Sequence, residues 1–458
     1  METDADGFNE LSPDVQVQVL KFLPFRTRVR FERVCKNWAD LLDYVWKRQK
    51  RLSICFANRY DLDPCHDPSH RFTLSDIVVD SNHSFVHYQR DSFSILKRCP
   101  NLIALYFAAN QVATEGFGFD LSKYCPRLEH ISLRDTTSFI AFSSYVSHRR
   151  INHIRCLHID SDDQDADDDF DECLTDFAAL CPKLECLINF TNYNTISLIE
   201  SVAPKLVELK MGTVDDVTVP VLVKLAHQLQ GLAVKETLDV DSVRQILTLK
   251  QLQDLEMCAT AAAVRLLTDS SIRLEALSLL SAETDGFDAS DLRVLLSRHG
   301  QSLRRLQVAG LKFVANDFTM FSDHCVYLTS LRVVPCDPVT LTNVSIQALS
   351  QLIQLRDLEL GVCIMTHNQV DLLLNSLTRL KEISLVNVPM VFPLRNSLLA
   401  FSRRYPRRNI TAWFSYDDRP NASPTRRRPD GRESRIIRPP PGLANIHVHG
   451  NLRIVYTH

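Results

Sequence analysis

The sequence predicts an α/β solenoid, with parallel strands stacked inside a curve and return helices outside, preceded by a small helical module. Three observations predict it. One leucine-rich phrase recurs along most of the chain, the copies lie 22 to 30 residues apart, and the first fifty residues carry helix punctuation of their own. Composition agrees with a folded chain that has a large core: 458 residues, 45% hydrophobic, 23% charged. A net charge of −3 gives no global field to draw nucleic acid or an anionic membrane, so neither is expected as a partner. No apolar run approaches the roughly 18 residues of a membrane span. The opening "METDADGFNEL" is acidic and does not read as a secretory signal. Thirteen cysteines, an odd number spread over a long chain, suggest reduced buried thiols and a cytoplasmic or nuclear setting.

The recurring phrase is clearest in "CPNLIALYF", "CPRLEHISL", "CPKLECLIN" and "APKLVELKM". Its skeleton is an apolar residue, two others, an apolar, one other, an apolar. The first positions are Leu102, Leu128, Ile154, Leu184, Leu206, Leu229, Leu252, Leu274, Leu303, Leu328, Leu355 and Leu380. This is the leucine-rich-repeat period. In Leu-x-Leu the two leucines share one strand face and the middle residue takes the other. The stretches "FDECLTDFAAL", "VTVPVLVKLAHQL" and "VSIQALSQL" have helical spacing and read as return helices. No unit buries its leucines alone, so neighbours must stack. Eleven steps of about 4.8 Å give a ladder on the order of 50 Å. "LINF" departs from the skeleton at Asn189, where a local bulge or an irregular repeat is expected, and "YPRRNITAWF" reads as a worn last repeat with Ile410 and Trp413 as capping apolars.

Side chains on the strand face away from the leucines form the candidate receptor surface: Tyr106, Ser132, Arg134, His158, Asp160, Lys210, Lys235, Glu256, Arg332 and Glu359. They are mixed in charge, and nothing in them names a ligand. "DSDDQDADDDFDE", residues 160–172, holds nine carboxylates and reads as a solvated insertion in one repeat. It lacks the glycine and terminal glutamate spacing of a calcium loop. Cys65, His66, His70, His83 and His87 lie close in sequence but offer no paired Cys-x-x-Cys, so no zinc is expected. From about Asp418 the chain reads as a disordered Arg/Pro-rich tail, and residues 403–438 carry eleven arginines against four acids. "ANIHVHGNLRIVYTH" regains alternation, as a strand pair turning at Gly450–Asn451 would, folded back on the solenoid.

The segment "SPDVQVQVLKFLP", residues 12–24, poses a local conflict. Val15, Val17 and Val19 alternate as in a strand. Ser12, Pro13 and Asp14 instead suit a helix start, and Pro24 ends it. Helix is expected, with Val15, Val19, Phe22 and Leu23 on one stripe, Leu20 beside it and Val17 off it. A second helix is expected from Thr27 through Val45, with Phe31, Val34, Cys35, Trp38, Leu41 and Leu42 at helical spacing. Arg26, Arg28, Arg30 and Arg33 make it basic.

These two segments, "LSPDVQVQVLKFLP" and "RVCKNWADLLDYVW", resemble an F-box, with Leu11 and Pro13 as its start, Val34, Cys35, Lys36 and Trp38 as its core and Trp46 as its closing tryptophan. Joined to the repeats, the whole resembles the F-box/leucine-rich-repeat proteins. The expected organisation is then an F-box at residues 1–50, a linker and irregular first repeat at 51–98, the solenoid at 99–416 and the tail at 417–458. The resemblance implies a substrate-recognition subunit of an SCF-type ubiquitin ligase, which marks a protein target for degradation. It would dock a Skp-type adaptor, and through it a cullin, by Leu11, Pro13, Val15, Val19, Leu20, Leu23, Val34, Cys35 and Trp38. No phosphate-cradling loop, nucleophile elbow or metal motif is present in the sequence, so no catalysis and no cofactor are expected. The alternative is an interaction scaffold that binds through its repeats without ubiquitin transfer.

Overall fold

The computed structural model describes residues 11–23, 28, 31–32, 34–55, 78–79, 96–108, 119–146, 149–159, 169–189, 199–200, 202–211, 218–282, 286–386, 410–415 and 452–457. The chain divides into two compact units, residues 1–229 and 230–458.

The first unit opens with two helices, α1 (Pro13–Phe22) and α2 (Lys36–Lys47). A parallel sheet follows: β1 (Arg51–Cys55), β2 (Val78–Val79), β3 (Ala104–Ala108), β4 (His130–Leu133), β5 (Cys156–Ile159), β6 (Cys186–Asn189) and β7 (Glu208–Met211). β1 lies between β2 and β3, and β3 to β7 then follow in chain order. Return segments include α3 (Leu121–Tyr124), α4 (Thr136–Tyr145), α5 (Asp169–Leu180) and α6 (Thr218–Leu225).

The second unit continues the plan with β8 (Gly231–Thr237), β9 (Asp254–Ala259), β10 (Ala276–Ser281), β11 (Arg305–Ala309) and β12 (Ser330–Val334). β13 (Val339–Thr340) and β15 (Cys363–Ile364) form a separate two-stranded sheet. β14 (Asp357–Gly361), β16 (Glu382–Val386), β17 (Ile410–Ser415) and β18 (Leu452–Thr457) complete the main ladder. Its helices are α7 (Val240–Ile246), α8 (Ala261–Asp269), α9 (Ala289–His299), α10 (Thr319–His324), α11 (Asn343–Ser350) and α12 (His367–Ser376). Among the described residues no helix is long and apolar enough to cross a membrane.

The recurring phrase has a backbone cause. Leu102 N–H donates to the Cys99 carbonyl, and the same turn recurs from Leu128 to Cys125, Leu184 to Cys181, Leu206 to Ala203, Leu303 to Gly300 and Leu328 to Cys325. Proline fits the second position of such a turn because its φ is preset. Cys99, Cys125, Cys181 and Cys325 are fully buried there, and burial pushes each thiol up to about 12. Neighbouring repeats are then stitched by one carbonyl that accepts two successive N–H groups: Ile103 O takes Glu129 and His130, and Gln253 O takes Glu275 and Ala276. Inside each unit the leucine rows stand in register. Leu105, Ile131, Leu157, Leu187 and Leu209 form one, and Leu255, Leu277, Leu306, Leu331 and Leu358 another. All are essentially sealed from water.

Most return helices are capped by a side chain at their start: Asp135 accepts from Ser138 N, Asp239 from Ser242 N, Thr260 from Ala263 N, and Asp288 from Asp291 N. Each cap satisfies an N–H that a helix end would leave open.

Several expectations need correction. No bulge breaks β6: its four residues pair in unbroken register with β5 and β7, and Asn189 takes the position of Ile159 and Met211. The register shift lies in β8, between Val234 and Thr237. Of the expected terminal strand pair, the second strand is β18, which pairs parallel with β17 and extends the ladder. Ile446, Val448 and Gly450 lie outside the described residues, as do the histidines at 66, 70, 83 and 87, Asp160 and most of the acidic insertion, and the Arg/Pro-rich segment.

Candidate functional site

The helical N-terminus has two faces. Ser12 and Pro13 start α1 with Asp14 in its first turn, and Leu23 is already extended before Pro24. The inner face of α1 carries Gln16, Val17 and Leu20, all buried; α2 contributes Leu42, Val45 and Trp46, likewise buried. Val17, expected off the contact stripe, is thus on it. Val15 and Val19, expected on one stripe with Phe22 and Leu23 and assigned to adaptor docking, point outward at 45% and 38% exposure, beside Leu11 at 38%. Inside and outside thus follow the helical period, with Gln16, Val17 and Leu20 in and Val15, Gln18 and Val19 out.

The second helix does not run from Thr27 to Val45. Val34 closes a turn on Phe31, Cys35 is extended (φ −159°, ψ 165°), and α2 starts only at Lys36. The break turns Val34 outward to 63% exposure and leaves Cys35 exposed too, so Cys35 is not the packing residue its helical spacing suggested. Trp38 is half-buried, with its ring centroid 4.3 Å from that of Phe31. Of the nine residues assigned to adaptor docking, Leu11, Pro13, Val15, Val19, Val34 and Cys35 are exposed, Leu23 and Trp38 half-buried, and Leu20 wholly buried. Leu20 can only support such a surface from behind.

Of the four arginines expected to make the second segment basic, Arg28 is described, and it faces neither solvent nor a partner. It is 4% exposed, donates to the carbonyls of Lys21 and Leu23, and stands 5.6 Å from the Trp46 ring. It thus terminates α1 by satisfying its last carbonyls. On the other side of Trp46, the indole N–H donates to Glu32 Oε1 at 2.5 Å. Arg98, at the head of the first repeats, reaches both Glu32 oxygens at 2.7 and 2.8 Å and lies 5.7 Å from the same ring. Asn101 adds a bond to the Lys47 carbonyl at 2.7 Å. The inner face of the helical module is therefore locked onto the repeats of its own unit, while the outer apolar face has no described cover. The Glu32–Trp46–Arg98 lock was not read from the sequence, since sixty-six residues separate Glu32 from Arg98.

The strand face not lined by leucines brings the second candidate set together. In the first unit Tyr106, Ser132, His158 and Lys210 occupy one cross-strand row, with Ile188 between the last two. Arg134 follows the end of β4. Ser132 is buried and its hydroxyl lies 3.3 Å from His158 Nδ1; the other three polar residues of the row are half-buried. In the second unit Ala233, Glu256, Ser278, Gln307, Arg332 and Glu359 form the equivalent row. Arg332 Nε is 2.9 Å from Glu359 Oε1. Lys235 does not share this row, because it falls inside the register shift of β8, where Ala233 takes the position opposite Glu256.

Residues 8–50 match the F-box domain family. Comparison with curated proteins finds no match. Three solved structures resemble the chain in part. A chain of the yeast Rad7 and Elc1 complex is 14% identical, over 85% of this chain and 87% of that one, with a TM-score of 0.45. Internalin InlF of Listeria monocytogenes is 12% identical over 67% and 78%, with a TM-score of 0.29. The leucine-rich repeat-containing protein LegL7 of Legionella pneumophila is 13% identical over 65% and 98%, with a TM-score of 0.33. The two-faced helical module at residues 8–50 is an F-box domain, and the strands and return helices that follow it are leucine-rich repeats.

Proposed function

We propose that this chain is the substrate-recognition subunit of an SCF-type ubiquitin ligase. Its F-box docks a Skp-type adaptor, which connects it to a cullin, and the polar strand face of its repeats holds a protein target for ubiquitination and degradation. The chain itself is non-catalytic in this reading: it contributes proximity, since tethering raises the effective concentration of the target at the transfer machinery. One observation carries the proposal. The F-box closes its inner face against its own repeats but leaves Leu11, Val15, Val19 and Val34 between 38% and 63% exposed. A folded chain has reason to keep such a cluster when another protein covers it.

The test is capture of the full-length chain with its partners. The wild type should retain a Skp-type adaptor and a cullin, and Val15→Asp plus Val19→Asp should lose both with an unchanged circular dichroism spectrum. Both substituted side chains are exposed, so the fold should tolerate the charges. Capture of an Elc1-type adaptor in place of the Skp-type one would replace the SCF assignment. Capture of a target without any adaptor would favour a scaffold that transfers no ubiquitin.

A further inference from the structure

A second row on the polar strand face of the first unit has a different chemistry. His130, Cys156, Cys186 and Glu208 are successive register partners on β4, β5, β6 and β7. They share the face of Ser132, His158, Ile188 and Lys210, two residues further along each strand. Adjacent strands lie about 4.8 Å apart, which falls within the roughly 4.4–6.8 Å between Cα atoms that a disulfide spans. Both thiols are free and partly exposed. Cys186 Sγ is 3.6 Å from Glu208 Oε2. The row is linear, and among the described residues no group of three or more His, Cys, Asp or Glu side chains could hold a metal ion.

We propose that Cys156 and Cys186 form a peroxide-reactive pair, in which Cys156 is the sulfur oxidised first and Cys186 resolves it to a disulfide. The two ends of the row differ in a way that assigns these roles. Cys156 stands beside His130, and Cys186 stands beside the Glu208 carboxylate. The hydrogen bond from Cys186 lowers the Cys156 thiol, against its burial, and His130 adds a second bond and a favourable charge. The bond to Cys156 raises Cys186, as do burial and the charges of Cys156 and Glu208. The imidazole end of the row therefore favours Cys156 as the nucleophile, and the carboxylate end leaves Cys186 to resolve it.

The chemistry balances with a hydroperoxide as oxidant. The Cys156 thiolate attacks the O–O bond. An S–O bond forms, and the leaving hydroxide takes up the proton that the thiol lost on ionising. With hydrogen peroxide this yields Cys156 sulfenic acid and one water. Cys186 then attacks the Cys156 sulfur. The S–S bond forms, the S–O bond breaks, and the hydroxyl leaves as a second water with the Cys186 proton. Two electrons pass from the thiol pair to the peroxide.

Six cysteines supply internal controls. Cys99, Cys125, Cys181, Cys325 and Cys363 are buried with thiols pushed up to about 12, and Cys35 is exposed. The experiment treats reduced full-length protein with hydrogen peroxide and maps cysteines by mass spectrometry. The expected product is a peptide pair crosslinked between Cys156 and Cys186, with the five buried thiols still reduced. Cys156 should react about tenfold faster or more than Cys35, although Cys35 is more open and stands at the N-cap of α2. In Cys186→Ser, a sulfenic-acid trap such as dimedone should accumulate on Cys156. His130→Gln, which leaves both thiols in place, should slow the reaction of Cys156 without changing its product. Oxidation of Cys35 ahead of Cys156, crosslinking of Cys156 to another cysteine, or no dimedone adduct in folded Cys186→Ser would each overturn the proposal.

Discussion

Replacing Glu32 with alanine should destabilise the first unit through an effect that belongs mostly to Trp46. Trp46 is 1% exposed, and its indole N–H donates to Glu32 at 2.5 Å. Removing the acceptor strands a buried donor, which costs about 1–3 kcal/mol. The second partner, Arg98, has a side chain 35% exposed. It can turn to water, so loss of that ion pair costs about 1 kcal/mol or less. Glu32→Ala should therefore cost about 1–4 kcal/mol, and Arg98→Ala about 1 kcal/mol or less. Trp46→Phe supplies the decisive comparison, because phenylalanine keeps a ring beside Arg28 and Arg98 but has no donor to strand. In that background Glu32→Ala should cost about 1 kcal/mol or less, giving a coupling of about 1–3 kcal/mol in a double-mutant cycle. The assay is urea unfolding followed by far-UV circular dichroism, which does not depend on the tryptophan removed. Equal costs of Glu32→Ala in both backgrounds would refute the reasoning, since the carboxylate would then not be serving the indole.

Four further outcomes follow from the same geometry. The exposed fractions of Leu11, Val15, Val19 and Val34 amount to about two whole side chains; covering them is worth about 3–6 kcal/mol, so Val15→Ala plus Val19→Ala should weaken adaptor binding measurably by calorimetry while leaving the urea midpoint in place. Leu20→Ala should do the reverse first, costing about 2–5 kcal/mol of stability, because Leu20 is wholly buried behind that face. Asp288→Ala should cost about 1 kcal/mol by removing the α9 cap. Hydrogen bonds from Ser290 and Asp291 hold the Asp288 carboxyl below its ordinary 3.8, so the cap contributes fully above that value and fades as pH falls towards the lower folded one; wild type and Asp288→Ala should converge in acid melts. Val362 sits at φ +53°, between β14 and β15, where a β-branched residue is strained, so Val362→Gly should raise the unfolding midpoint by about 1 kcal/mol of stability.

The repeat ladder was legible because its signal is local and periodic. The turn from Cys99 to Leu102 lies within four residues, and Leu-x-Leu reports its face directly. What the sequence hid depended on register or on interruption. Val17 and Val19 are alike in composition, and a helical wheel alone does not say which flank of a broad stripe meets α2. The break at Cys35 was invisible because apolar spacing continues across it from Phe31 to Trp38 while the backbone does not. Lys235 was misplaced by a shift that begins one residue earlier, at Val234. The His130–Cys156–Cys186–Glu208 row needed the pairing of four strands whose spacing in sequence is unequal, so no motif search along one strand would find it.

The two faces set different physical terms for binding. On the F-box the outer side chains are apolar and uncovered, and covering them releases water with little rearrangement, because Arg28, Glu32 and Arg98 already hold the inner face in place. On the repeats the polar groups are partly occupied with one another: Arg332 pairs with Glu359, Arg305 Nη2 with Asp254 at 2.9 Å, Lys210 with Glu208 at 3.6 Å, and Ser132 with His158. A target that merely laid opposite charge on this face would have to break pairs as good as those it made. It would gain little, since half-exposed ion pairs are each worth at most about 1 kcal/mol. A partner that matches the order of the rows can instead add a bond to each pair without separating it. Adaptor docking therefore rests on uncovered apolar area and tolerates variation in the partner's polar groups. In the proposed function, target capture would rest on the sequence of side chains from repeat to repeat, and discrimination between targets would belong to that face.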